Sequence, residues 1–499
     1  MGRHAAAALT LCQSRLVETA TQTLHRLTSF ETFDEDRVWE PPVDDPRVVR
    51  FTPNDISRLP WFHKRYDASL RRTPLPRDLP ATTASAVDVI AGRATVPRGV
   101  LDLPALSRLL HLSAGVVRTS ERSYGTHLFR AAGSAGGRFP LELYVAVPEG
   151  STLPAGVHWY HPQEHALVEI GPPPGHGAVT VVVTGVPWRT GWRYRERGYR
   201  HIYWDAGTML SQLQAAAASA GLPARLHTRF PDAEVGALVG SDGVHEWPVA
   251  VVALDDQAPT LRAGGRPVLA PVDAAPVEFP LVTAAQHAGD GADSGPAWDT
   301  GDAVDPDGRT GDGDVAARPV ETVVLARGSQ RLMDPTRSLP GDVLRTAMAA
   351  AVRGIDVPHW VAVHAVDGVA PGLYAWPDLG TPVRGGALRD ELHHACMDQA
   401  LGRDAAFVVI AATAVTDLDD RGYREAQLAA GLVEGRLHLL AYALGATASG
   451  MTFVDGLVPP LLGRPVDALL FTCVGVGEYT SRAGGPPGAP TAVALITPR

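Results

Sequence analysis

Cysteine is scarce in this 499-residue sequence: Cys12, Cys396 and Cys473 are the only three. They are too few and too scattered for a disulfide framework or a zinc cluster, which suits a reducing, cytoplasmic setting. A basic excess is missing too, since 44 Lys and Arg face 54 Asp and Glu for a formal net charge of -10. Nucleic-acid partners are therefore not expected, because no basic stripe offsets repulsion from phosphates. No apolar run is long enough to span a bilayer, and no signal-peptide pattern opens the chain, so no membrane partner is expected either. Lysine is reduced to Lys64 alone, a mark of GC-rich coding rather than of function. What remains, 45% hydrophobic and 20% charged, is the composition of an ordinary globular protein.

What the sequence does contain is an internal repeat. RGYR at Arg197–Arg200 returns at Arg421–Arg424, and its flanks keep step: Ala206-Gly207 falls on Ala430-Gly431, and Gly221 on Gly445. One residue is then lost, so that Phe230 pairs with Phe453 and Leu238–Gly240 with Leu461–Gly463. Upstream, Leu143–Val147 resembles Trp360–His364. Matched order over so long a stretch indicates a tandem of two large domains. The expected organisation is an N-terminal helix and extended arm over 1–80, a first repeat over 81–285, a linker over 286–318 and a second repeat over 319–499. The linker carries AGDGADSGPAWDTGDAVDPDGRTGDGD, whose eight aspartates and seven glycines cannot bury enough apolar surface to offset ordering entropy, so disorder is expected there. β-branched runs such as LELYVAV, AVTVVVTGV and AFVVIAATAV predict strands. Helices are predicted from an N-cap at Asp205 to Ala220, and over Leu428 to Leu444. Strands alternating with long buried helices make each copy α/β or α+β.

Three residues carry the clearest chemistry. Arg327, Ser329 and Arg331 sit at alternate positions ahead of a predicted helix. Two guanidinium forks and a hydroxyl on one face of an extended segment suit a phosphate, the alternative being a solvated turn with incidental arginines. Other patterns are set aside. His158, His161 and His165 invite a zinc site, but Pro162 breaks any helix that would align them and the matching Ala375 and Trp376 are not ligands, so no metal is expected. The glycines of GVGEYTSRAGG follow no strand-turn-helix, which discounts a dinucleotide fingerprint.

R-x-S-x-R ahead of a helix resembles the FMN-binding opening of the nitroreductase fold. In the first repeat, GSAGGRFPLELYVAV (Gly133–Val147) is similar to the serine-glycine loop and strand of the azoline-oxidising dehydrogenases of that superfamily, the SagB/ThcOx type. LPALSRLLHLSAGV, LPAGVHWYHPQEHALVEI and WRTGWRYRERGYRHIYWDAG agree with the same subfamily. The resemblance implies an α+β fold, FMN as cofactor and, because such enzymes are usually homodimers, an intramolecular pseudo-dimer. The repeats have lost complementary parts: no Arg-x-Ser-x-Arg survives in Ala91–Pro104, and no serine loop survives in Ala351–Val363. One intact FMN site is therefore expected. It would take Arg327, Ser329 and Arg331 on the phosphate side, and Ser134, Ala135, Gly136 and Gly137 beneath the ring. Backbone amides near Gly450 and Met451 would face the reactive nitrogen, and Arg482 would offer a further phosphate contact. Arg193-Tyr194 stands where the subfamily carries a catalytic Lys-Tyr pair. Arginine keeps its proton and cannot be the base, whereas Tyr194 could serve if Arg193 lowered its pKa. The activity that the resemblance implies is oxidation of thiazoline or oxazoline rings in a ribosomal peptide, with a cyclodehydratase complex as the implied partner. The alternatives are reduction of a nitroaromatic, quinone or enone, and a non-catalytic scaffold in a biosynthetic complex.

Overall fold

The computed structural model describes residues 18–31, 45–305 and 317–497. Among them, two antiparallel sheets flank a pair of long helices. The first sheet has the order β1-β6-β5-β4-β7-β9-β8: β1 is Arg72–Pro74, β4 Leu141–Val147, β5 Gly156–His161, β6 Ala166–Gly171, β7 Thr180–Gly185, β8 Arg225–His227 and β9 Trp247–Ala253. The second runs β12-β11-β10-β13-β15-β14: β10 is His359–Val363, β11 Gly372–Ala375, β12 Arg384–Gly385, β13 Phe407–Thr413, β14 Thr447–Met451 and β15 Asp467–Gly475. A small third sheet joins β2 (Val116–Arg122) and β3 (Gly125–Arg130) to β16 (Thr491–Ala492), near the C-terminus. Every residue of β4, β7 and β10 is buried, so these strands are covered on both faces, with Glu142, Thr180, Thr184 and His359 the polar residues among their apolar ones.

The long helices are Gly198–Ser219 and Asp420–Ala443. Each begins about two turns before the start expected from sequence. The first does not use Asp205 as its cap, because that carboxyl is taken by another loop, as described below. The second is capped by Asp419, whose side chain accepts from the Gly422 amide. They cross at glycine: a Cβ on Gly207 would lie 2.4 Å from the Leu428 carbonyl oxygen, and one on Gly431 2.4 Å from that of Trp204. Backbone meets backbone there, and nothing larger than glycine fits.

The two RGYR stretches lie at the starts of these helices, and each reaches into the opposite half. Arg197 and Arg200 donate to the two oxygens of Asp455 at 2.6 and 2.7 Å. Arg421 and Arg424 donate to the two oxygens of Asp232 at 2.8 and 3.3 Å. Between them, Tyr199 and Tyr423 stack with centroids 6.4 Å apart. The same clasp thus occurs twice with the halves exchanged.

A helix over Ala20–Leu27 opens with a capping box formed by Thr19 and Gln22. The rest of the expected N-terminal segment up to residue 44, apart from 18–31, lies outside the described residues. The segment expected to be a disordered linker begins inside a helix, Pro280–Ala288, and its residues to 305, though mostly exposed, are tethered to the body by hydrogen bonds. The Gly291 amide donates to Asp232, and the Trp298 indole to the Gly354 carbonyl. Such tethers supply the partners that composition alone withholds. Residues 306–316 of that segment lie outside the described residues.

Candidate active site

The loop after β3 turns sharply through Gly136 and Gly137, at φ 58° and 64°, values that favour glycine. A Cβ on Gly136 would sit 2.6 Å from the Tyr194 hydroxyl and 2.7 Å from Arg193 Cδ. The pair singled out from sequence is therefore laid directly over the serine-glycine loop. Asp205, two turns into the first long helix, holds the loop's other end. Ser134 Oγ lies 2.5 Å from its Oδ2, and the Ala135 amide donates to its Oδ1 at 2.9 Å. Ser134 Oγ also accepts from the Phe139 amide at 2.8 Å, which closes the turn. Burial pushes the Asp205 carboxyl up to about 8 against the pull of these hydrogen bonds, so near neutral pH it is mostly protonated and uncharged.

Arg327 arrives from the second half. It ends the helix Val320–Ala326, is 4% exposed, and donates from Nη2 to the Ala131 carbonyl at 2.6 Å. Its Nη1 faces His438 Nδ1 at 3.4 Å and lies 3.3 Å from where a Cβ on Gly133 would be. Burial, with Arg327 adding to it, lowers His438 to about 3, which keeps the imidazole a neutral acceptor. Behind it, Glu434 takes the Thr208 hydroxyl and lies against Gly450, 2.6 Å from where a Cβ would project. Burial raises Glu434 to about 6. Gly450 on β14 thus approaches this same cluster, and Met451, next to it on the strand, is buried.

The remaining expected residues are more dispersed. Ser329 and Arg331 are exposed on the loop that follows Arg327, where the Arg331 amide donates to the Tyr479 hydroxyl at 3.1 Å. The Arg331 guanidinium is one of three that act on Tyr194 through space. Arg482 is exposed and donates to the Ala492 carbonyl at 2.8 Å, so its side chain does not join Arg327. Its carbonyl instead accepts from Arg118 of β2, which also donates to Leu325 beside the motif.

Tyr194 corrects an expectation. Burial raises its pKa, and Arg193, Arg138 and Arg331 offset that only in part, so the phenol keeps its proton at neutral pH. Arg193 does not turn it into a base.

Asp205, Arg138, Glu434 and His438 lie in the same region and are not singled out as site residues by the sequence. Arg138 is 1% exposed between the rings of Trp192 and Phe62, at 4.6 and 5.7 Å, and its Nη2 has no hydrogen-bond partner. Asp205, Glu434 and His438 did carry a signal, being ionisable residues inside helices that are otherwise buried and apolar.

No protein-family profile matches the sequence. A nitroreductase-like protein of Methanocaldococcus jannaschii is 27% identical over 167 residues, 30% of this chain and 79% of the relative. Among solved structures, a nitroreductase-like protein of Anabaena variabilis superposes with a TM-score of 0.67 at 23% identity, covering 92% of this chain and all of the other. The microcin synthetase McbBCD complex of E. coli matches 47% of this chain and 91% of its own at 18% identity, with a TM-score of 0.27, too low to bear on function. The fold is that of the nitroreductases, α+β, matched across nearly the whole chain.

Proposed function

We propose that the chain is an FMN-dependent oxidoreductase in which two nitroreductase-like halves form an intramolecular pseudo-dimer with one complete cofactor site. The observation that carries this reading is Arg327 of the second half, bonded to the Ala131 carbonyl and set against Gly133 of the first. The residues fit a flavin nucleotide. Arg327 Nε and Arg138 Nη2 are buried without partners, and Gly133, Gly136 and Gly137 keep the loop free of side chains that would fill a flat cradle. Arg327, Ser329 and Arg331 would hold phosphate and ribose, and residues 134–137 would lie beneath the ring. FMN, when bound, supplies hydride transfer. The protein's own groups supply the rest: Arg138 and Arg193 place positive charge beside the loop, Asp205 fixes its shape, and Tyr194 holds a proton above Gly136.

At the level of substrate, resemblance to the SagB/ThcOx type favours oxidation of a peptide thiazoline or oxazoline to the azole, alongside a cyclodehydratase. One observation favours a second reading, reduction of a nitroaromatic, quinone or enone. That direction needs a proton donor, and Tyr194 is one, whereas azoline oxidation needs a base that neither Arg193 nor a protonated Tyr194 provides. Purified protein assayed separately with an azoline peptide under oxygen and with NADPH plus a nitroaromatic separates the two. Turnover of the peptide alone supports the first reading, and turnover of the nitroaromatic alone the second. A colourless protein inert in both assays, with no flavin absorbance after incubation with FMN, would leave the scaffold reading.

A further inference from the structure

The halves that build one site should also build a second, with their roles exchanged. Its place can be located. An isolated antiparallel bridge pairs Ser85 with Pro319, each the N-cap of a short helix. Eight residues past these paired positions stand Arg93 and Arg327, so Arg93 is the counterpart of the buried phosphate-side arginine. The match of Leu143–Val147 with Trp360–His364 likewise sets Arg353 and Gly354 at the places of Gly136 and Gly137.

Between these counterparts runs the chain itself. A Cβ on Gly354 would lie 2.5 Å from the Asp299 carbonyl oxygen, and one on Gly92 3.4 Å from Ala303 Cα. The Val304 amide donates to the Ala91 carbonyl at 3.0 Å. Arg353 donates to Ile90 and Gly301 at 3.1 and 2.9 Å, which ties both walls to the segment between them. Trp298 places its indole against Gly354, donating to its carbonyl at 3.2 Å, while Asp305 pairs with Arg93.

We infer that residues 298–305 occupy the second cofactor site as a built-in ligand, the Trp298 indole standing where a flat ring would lie and the Asp305 carboxylate where a phosphate would meet Arg93. The ligand this latent site takes is accordingly an aromatic anion, here supplied by the chain. The inference rests on the pseudo-dimer reading and explains why only one site is open. The exposed Arg93–Asp305 pair adds little binding strength by itself, so the hydrogen bonds of Trp298, Gly301 and Val304 to the walls hold the segment in place.

The test is a titration of the full-length protein with FMN, counting bound flavin per chain. Trp298→Ala with Asp305→Ala is expected to raise the count from one toward two at high FMN, and adding Arg93→Gln is expected to return it to one. A count that stays at one in the double variant, with cooperative unfolding retained, overturns the inference. A wild-type count of zero or two contradicts the pseudo-dimer reading instead. Hydrogen exchange decides the segment's placement without flavin: the backbone amides at positions 298 and 304 are expected to be protected in the wild type and to exchange freely in the double variant. Free exchange of both in the wild type overturns the inference whatever the flavin count.

Discussion

Asp455→Ala removes the acceptor shared by Arg197 and Arg200, whose side chains are 1% and 0% exposed. Both guanidiniums keep carbonyl partners, Arg197 at Thr28 and Phe453 and Arg200 at His25, but neither keeps a hydrogen-bonded carboxylate, and only Asp467 still acts on Arg200 through space. Breaking a buried pair in this way costs about 3–5 kcal/mol, against about 0–1 for an exposed pair such as Arg262–Glu234. Urea unfolding followed by tryptophan fluorescence measures the difference, with Glu234→Ala as the surface control. The pH dependence adds a second reading. Burial pushes the Asp455 carboxyl up, yet Arg197 and Arg200 outweigh it and hold the group well below its ordinary value of 3.8. The stability it contributes is therefore complete above about pH 4 and is lost as pH falls toward the folded value. Asp455→Ala should lose that component of acid sensitivity. A loss under about 1 kcal/mol, no larger than in the surface control, would refute the idea that the duplicated RGYR clasps the two halves.

Three other outcomes follow from the same geometry. Gly431→Ala gains about 1 kcal/mol of helix propensity but drives a Cβ into the backbone of Trp204, so a net loss of stability is expected, whereas Gly385→Ala, with open space around it, should be harmless. Asp205 keeps its proton when folded up to about pH 8, while the unfolded chain loses it near pH 4. The group therefore makes stability fall as pH rises across that window, and Asp205→Asn should flatten the slope in unfolding experiments at pH 5 and 8. Tyr194→Phe should lower kcat by at least ~100-fold with flavin still bound, and an unchanged kcat would remove Tyr194 from proton handling.

The recurrence of RGYR and of the flanking glycines in the sequence has a physical counterpart, since Gly207 and Gly431 meet backbone, and the four arginines meet carboxylates, across the helix pair. Composition misjudged the linker: eight aspartates and seven glycines read as disorder, yet Trp298 and a few backbone hydrogen bonds fix its first part against Gly354 and Ala91. Asp205 was taken as a helix cap because a cap and a loop-holding carboxylate look alike in sequence, and only the fold brings Ser134 to it. The direction in which Tyr194 is shifted could not be read, since it depends on burial that outweighs three arginines from separate segments.

The most direct measurement is the amount of FMN released per chain from purified protein whose solution mass shows a monomer. One flavin per monomeric chain is the expected result, because in the proposed pseudo-dimer a single chain supplies both the Arg327 side and the Ser134 side of one site. Two flavins per chain, or a flavin retained only by an association of chains, would contradict it.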